Sequence, residues 1–187
     1  MKHKEIEFKY WAEDFSKEDF LNSIHLLSED GRDIPDAIYV VSCDDYYVKN
    51  CEGHSDFIRF RKGGSLYELT IKVKEDKNVV RKEVNINVSG NDDSSVVEFI
   101  KLAGYKKEFQ VYKEAWIWHF EDCDVSYYTL SDGRSVIELE AVNPASVEAG
   151  VAAISWWEGA LRLGSLKKEQ RSLYEIFTEE MADKLDF

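Results

Sequence analysis

Residues 5 to 10 read Glu-Ile-Glu-Phe-Lys-Tyr. Glu5, Glu7 and Lys9 alternate strictly with Ile6, Phe8 and Tyr10, and a period of two sends alternate side chains to opposite faces of a strand. Two carboxylates and an ammonium therefore stand in a row. The same segregation recurs downstream. Arg59 and Arg61 share one face of FIRFR, Thr70, Lys72 and Lys74 one face of ELTIKVK, Arg81, Glu83 and Asn85 one face of VRKEVNI, and Glu138 and Glu140 one face of VIELEA. Carboxylate pairs suit a hard divalent cation such as Mg²⁺ or Mn²⁺, which takes oxygen ligands. Arginine forks fit phosphate oxygens bidentately, and lysine adds a point charge. Lys9, Arg59, Arg61, Lys72, Arg81 and Lys113 are enough cations to surround a triphosphate, with metal held beside it by the glutamates.

These polar faces have two readings. They are the solvated outside of a sheet whose apolar faces form the core, or they line the inside of a barrel whose apolar faces carry helices. Solvated faces usually mix signs to gain cross-strand pairs. Here one strand is Arg-Arg, another Lys-Lys and two are Glu-Glu, which favours the lumen.

The elements needed to hold such faces are legible. Ser16 precedes acids and an apolar stripe of Phe20, Leu21, Ile24 and Leu27, the pattern of a capped helix ending near Asp30-Gly31. Strands are expected over 36–42, with a continuation through DDYYVKN, then over 55–62 and 66–74 joined at Gly63-Gly64, and over 80–88. A short helix over 94–103 stops at Gly104. Three more strands follow over 109–120, 124–130 and 135–142. From about residue 145 the chain reads as helical, with breaks at Gly159 and Gly164. The sum is an α+β chain of about eight hairpin-linked strands, an antiparallel barrel or sandwich with helices packed outside. An eight-stranded barrel has room for one small ligand.

The 187 residues suit a single domain, 1–187, and a hydrophobic share of 44% is ample for its core. A net charge of −13 argues against a nucleic-acid duplex or an anionic membrane as the main partner. No apolar run is long enough to span a bilayer, and the N-terminus lacks the apolar stretch of a signal peptide. Cys43, Cys51 and Cys123 show no metal-binding spacing and read as reduced thiols, as in a cytoplasmic protein. The histidines are scattered. Trp116, Trp118, Trp156, Trp157 and Tyr174 read as packing residues under helices.

Taken in order, these segments resemble the CYTH superfamily, the triphosphate tunnel metalloenzymes. Glu5-Ile-Glu7-Phe-Lys9 looks like its ExExK signature. Arg59-Phe-Arg61, Leu-Thr70-Ile-Lys72, Arg81-Lys-Glu83 and Ile-Glu138-Leu-Glu140 look like its RxR, LTxK, RxE and late ExE strands. Ala103-Gly104-Tyr105 leading to Lys113 resembles its LGY segment, and Arg171-Ser172-Leu173-Tyr174 its close. ExExK alone is a weak signal; the ordered set covers the whole chain.

The resemblance implies an eight-stranded antiparallel tunnel binding a triphosphate with Mg²⁺ or Mn²⁺. By position it implies catalytic roles for Glu5, Glu7, Lys9 and Lys72, and metal ligation by Glu5, Glu7, Glu83, Glu138 and Glu140, with Glu83 alternatively orienting Arg81. Substrate would be bound by Lys9, Arg59, Arg61, Lys72, Lys74, Arg81 and Lys113, with Lys74 nearer the mouth. Arg171 would reach back to the tunnel or lie on a helix surface. The activity implied is hydrolysis of tripolyphosphate, thiamine triphosphate or a nucleoside triphosphate such as ATP. The alternatives are class IV adenylyl cyclase chemistry and binding without turnover. A homodimer is a family-level expectation. Two departures stand out: Ala115 replaces an arginine that often follows the lysine, and Tyr128 stands where an aspartate is usual, with Asp124 and Asp132 flanking it.

Overall fold

The computed structural model describes residues 3–51, 54–64, 66–74 and 80–183; the side chains of residues 3–5, 51, 54–56, 72–74, 80–82 and 183 lie outside the description. Among the described residues, nine strands and four helices follow in the order β1 (His3–Trp11), α1 (Lys17–Glu29), β2 (Ile38–Cys51), β3 (His54–Gly63), β4 (Leu66–Lys74), β5 (Val80–Asn87), α2 (Asp93–Leu102), β6 (Lys106–His119), β7 (Cys123–Leu130), β8 (Ser135–Ala141), α3 (Val147–Ala160), β9 (Lys167–Glu169) and α4 (Leu173–Asp183).

All pairings are antiparallel, and the strand order is β5-β4-β3-β2-β6-β7-β8-β1-β9. β1 also pairs with β5 through His3–Ile6, while its Glu7–Trp11 half pairs with β8. That pairing joins the two ends of the eight-strand run, as the barrel expectation requires. The ninth strand corrects the count. β9 lies in the stretch expected to be helical and pairs with Lys9–Trp11, beyond the residues that β5 reaches. The break before it falls at Arg162, in the left-handed region at φ 60°, followed by a 3-10 turn at Leu163–Ser165. Gly159 stays inside α3.

The apolar faces do carry helices. Ile6, Phe8 and Tyr10 of β1 join Trp118, Val125, Tyr127, Ile137 and Leu139 in a cluster covered by Phe20, Ile24 and Leu27 of α1 and by Ile154 and Trp157 of α3. Burying a side chain such as Phe20 completely contributes roughly 1.5–3 kcal/mol. Ser16 caps α1 in a reciprocal box with Asp19. Leu21, expected on the buried stripe, is exposed. Of the two adjacent tryptophans in α3, Trp157 is buried while Trp156 is half exposed. Trp118 is buried against Phe20, and Trp116 lies under the Lys17 ammonium. α2 covers Tyr47, Phe60 and Leu69 with Val96 and Ile100.

α4 does something different. Its Leu173, Tyr174 and Ile176 pack against Trp11, Tyr46, Val111, Ala115, Tyr128 and Val136, residues that share faces with the inward polar rows. Tyr174 stacks on Phe57 and Phe109. Two glycines mark close approaches that a side chain would forbid. A Cβ on Gly63 would sit 2.1 Å from the Val41 carbonyl oxygen, where β3 meets β2, and one on Gly150 would sit 2.6 Å from Ile6, where α3 meets β1. No helix among the described residues is long and apolar enough to cross a membrane.

Candidate functional site

The inward faces enclose a cavity of about 440 Å³. Its wall includes Glu7, Lys9, Arg59, Arg61, Glu83, Lys113, Glu138 and Glu140, so eight of the expected site residues meet there. Glu5, Lys72, Lys74 and Arg81 stand on β1, β4 and β5, but their side chains lie outside the description. Arg171 is not in the wall. Its guanidinium is held by Glu169 at 2.9 Å and by Glu179, just ahead of α4.

Register explains the meeting of the carboxylates. Glu7 stands opposite Glu140, and Lys9 opposite Glu138, on the antiparallel pair β1–β8. Directly opposed residues share a face and bring their Cβ atoms within about 5 Å. One oxygen from each of Glu7, Glu138 and Glu140 falls within 4.8 Å of the others. Lys9, only 5% exposed, donates to Glu7 and lies 3.3 Å from Glu138, tying the two carboxylates together. Tyr128 donates to Glu138 at 3.2 Å. Burial, then the Glu138 charge, pushes the Tyr128 phenol well above its ordinary range, so it stays a donor. The fit to a hard divalent cation is good, because three anionic oxygens converge. Asp124, in register with Glu140, also lines the cavity and accepts from the His119 ring Nδ1 at 2.8 Å, whereas Asp132 is bound to Arg134 in the β7–β8 turn.

The cations gather on a neighbouring stretch of wall around a residue the sequence reading missed. Asp44 of β2 is fully buried and accepts from Arg61 Nε at 2.7 Å and from its Nη2 at 2.8 Å. Lys113 lies 3.5 Å from the same carboxylate. Burial alone would raise the Asp44 carboxyl, but Arg61 and Lys113 hold it well below the usual carboxylate range. Lys113 is pushed down to about 8 by burial, then by repulsion from Arg61, with Asp44 pulling the other way. Arg59 donates to Thr70 at 2.8 Å and lies 3.6 Å from Glu68. The cavity therefore has a carboxylate region on β1 and β8 and a cationic region on β2, β3 and β6. Lys113 lies 5.0 Å from the centre of the Tyr128 ring, which links the two.

Asp44 and Glu68 could have been found from the sequence by extending the inward parity of each strand, since Glu68 shares its face with Thr70 and Asp44 shares its face with Ser42 and Tyr46. The adjacent acids Asp44 and Asp45 hide that parity. Asp45 points to the other face, where Lys62, Lys107 and Gln110 hold it.

No family model matches the chain, and no curated protein matches it. Solved structures do. The PH1012 protein of Pyrococcus horikoshii superposes with a TM-score of 0.73 at 20% identity, over 91% of this chain and 98% of that one. A conserved hypothetical protein from Pyrococcus furiosus gives 0.71 at 21% identity, over 91% and 98%. A candidate adenylate cyclase from Vibrio parahaemolyticus gives 0.64 at 16% identity, over 95% and 99%. The chain has the fold of these structures, and the antiparallel barrel expected from the sequence is the fold observed.

Proposed function

We propose that this protein is a divalent-metal-dependent phosphohydrolase acting on a triphosphate bound inside the barrel. One observation carries the reading: three carboxylate oxygens within 4.8 Å of one another share a cavity with Lys9, Arg59, Arg61 and Lys113. Fold alone does not assign chemistry; a site does. Phosphoryl transfer asks a protein for positioning and charge neutralisation rather than for a covalent nucleophile, and that is what this wall offers.

Glu7, Glu138 and Glu140 would hold the metal, Mg²⁺ or Mn²⁺, and Glu5 and Glu83 are further candidates for its shell. A bound divalent cation would polarise phosphoryl oxygens and lower the pKa of water at the site. The chain's own residues do the rest. Lys9 holds Glu7 and Glu138 in place. Tyr128 fixes Glu138 from the other side. Arg59, Arg61 and Lys113 neutralise phosphate oxygens, and in a poorly solvated wall their charges count for more than in water. Lys72 and Arg81 belong to the same grip by motif. The nucleotide or thiamine part of a substrate is not specified by these residues.

A second reading, an adenylyl cyclase making cyclic AMP and pyrophosphate from ATP, is favoured by the Vibrio structure of the same fold. The deciding experiment incubates the protein with ATP, tripolyphosphate or thiamine triphosphate and Mg²⁺ or Mn²⁺, and resolves the products. Orthophosphate release that needs metal is expected. Cyclic AMP with pyrophosphate would install the second reading. Tight binding with no product from any of the three would reduce the protein to a binder of triphosphates.

A further inference from the structure

The two ends of the barrel treat their inward apolar residues differently. At one end Tyr46, Val111, Leu130 and Val136 are buried and pack with Leu173 and Tyr174 of α4. At the other end stand Ile38, Val40 and Ile117, which line the cavity. Register places them together: Ile38 pairs with Ile117, and Val40 with Ala115, on the β2–β6 ladder. Exposure falls along each strand from this end inward. On β2, Ile38 is 49% exposed and Val40 partly exposed, whereas Ser42, Asp44 and Tyr46 are buried. On β6, His119 is exposed while Ala115 and Val111 are buried. On β7, Asp124 is partly exposed while Tyr128 and Leu130 are buried. The cavity thus opens beside Ile38, Ile117, His119 and Asp124 and closes against α4.

Charge runs along the same direction. Going inward on β2 from Ile38, the register meets Lys113 opposite Ser42, then Arg61 opposite Asp44, then Arg59 opposite Tyr46. The open end carries instead the Asp124 carboxylate, which the His119 ring holds. A polyanion entering there is repelled by Asp124 and drawn to the cations beyond. Its phosphates lie deep, and whatever they esterify is left at the mouth. There it meets a wall of branched aliphatic side chains that water covers poorly and a flat apolar ring covers well. Asp124 adds a polar contact at the edge of that wall. A carboxylate offers about four lone-pair sites, so its bond to His119 leaves it able to accept another donor.

We propose that the open end of the cavity seats the organic part of a triphosphate ester, a flat heterocycle bearing an amino group, with its ring on Ile38, Val40 and Ile117 and its amine donating to Asp124. The substrate is then an organic triphosphate that enters phosphate-first, not inorganic tripolyphosphate. Adenine and the aminopyrimidine of thiamine both meet this description. None of the four residues belongs to the metal and phosphate grip described above. The inference rests on the triphosphate-binding reading and supplies the specificity that the grip leaves open.

The test is calorimetry of the full chain with ATP, thiamine triphosphate and tripolyphosphate. Ca²⁺, which also takes oxygen ligands, replaces Mg²⁺ to hold back turnover. At least one of the two esters should bind. Ile38→Ala and Ile117→Ala should each weaken that ester about fivefold or more through lost apolar contact, and tripolyphosphate affinity should stay unchanged. In Asp124→Ala the ratio of ester to tripolyphosphate affinity should fall about tenfold, the loss of one hydrogen bond to a charged group. Tripolyphosphate itself should bind that variant as well or better, because a repelling charge is gone. Unchanged ester affinity in both isoleucine variants, or an unchanged ratio in Asp124→Ala, would overturn the proposal. Equal losses for ester and tripolyphosphate would overturn it too, marking these residues as structural. So would a wild type that binds tripolyphosphate and neither ester. Failure of the wild type to bind any of the three would instead defeat the function proposed above.

Discussion

Both oxygens of the Asp44 carboxylate accept from one guanidinium, that of Arg61, at 2.7 and 2.8 Å. A buried anion thus occupies the cationic wall before any substrate arrives. Bidentate pairing fixes the plane of the arginine as well as its charge. Asp44 is a positioning residue: it keeps two like charges, Arg61 and Lys113, close together in a poorly solvated place.

Replacing it should expose that tension. Asp44→Ala leaves buried cations without their anion, and breaking such a pair costs about 3–5 kcal/mol. Tripolyphosphate should restore part of the loss, since its oxygens would take the place of the carboxylate. The stabilisation by tripolyphosphate should therefore be larger in the variant than in the wild type. Urea denaturation with and without the anion measures both effects, and Asp44→Asn, of the same shape, serves if the alanine variant does not fold. Equal stabilisation of variant and wild type would show that the phosphate does not reach Asp44's partners.

The metal assignment has its own signature. Glu7 and Glu140 are directly opposite one another, and like charges in that relation cost about 0.2–1 kcal/mol. A divalent cation between them reverses the sign. Glu140→Gln should therefore leave the metal-free protein as stable as the wild type or slightly more so. The rise in melting temperature that Mn²⁺ gives the wild type should largely vanish in the variant. An undiminished rise in Glu140→Gln would remove Glu140 from the ligand set.

These two sites differ in how far the sequence announced them. Glu7, Lys9, Glu138 and Glu140 are legible because each strand alternates cleanly, so a residue's parity states its face, and the barrel turns that face inward. Asp44 is obscured because Asp45 follows it and both are buried, one on each face. Only the pairing of β2 with β3 and β6 decides which acid meets Arg61 and which meets Lys62. β9 was invisible for a similar reason. Three residues carry no periodicity, and they form a strand because β1 extends past the end of its pairing with β5. Arg171 shows a different limit: its motif is readable, but only the structure supplies the Glu169 and Glu179 carboxylates that hold its guanidinium.

Lys113 connects the electrostatics to a measurable pH dependence. Its ammonium is pushed down to about 8 by burial and by the neighbouring arginines, against an ordinary value of 10.5. A bound phosphate favours the charged form, so binding above pH 8 requires proton uptake by this lysine. Affinity for tripolyphosphate should be fully expressed below about pH 8 and decline as the pH rises through that value. The same shift acts on folding with the opposite sign. Between about 8 and 10.5 the unfolded chain binds the proton more tightly than the native one, so this group's contribution to stability becomes more favourable as pH rises. Lys113→Arg keeps its charge throughout this range and should remove the decline in affinity while leaving binding at pH 7 within a few-fold. Calorimetric titrations of both proteins from pH 7 to 10 supply the comparison, which cancels the titration of the anion itself. Parallel pH profiles for the two proteins would mean that Lys113 does not touch the phosphate chain.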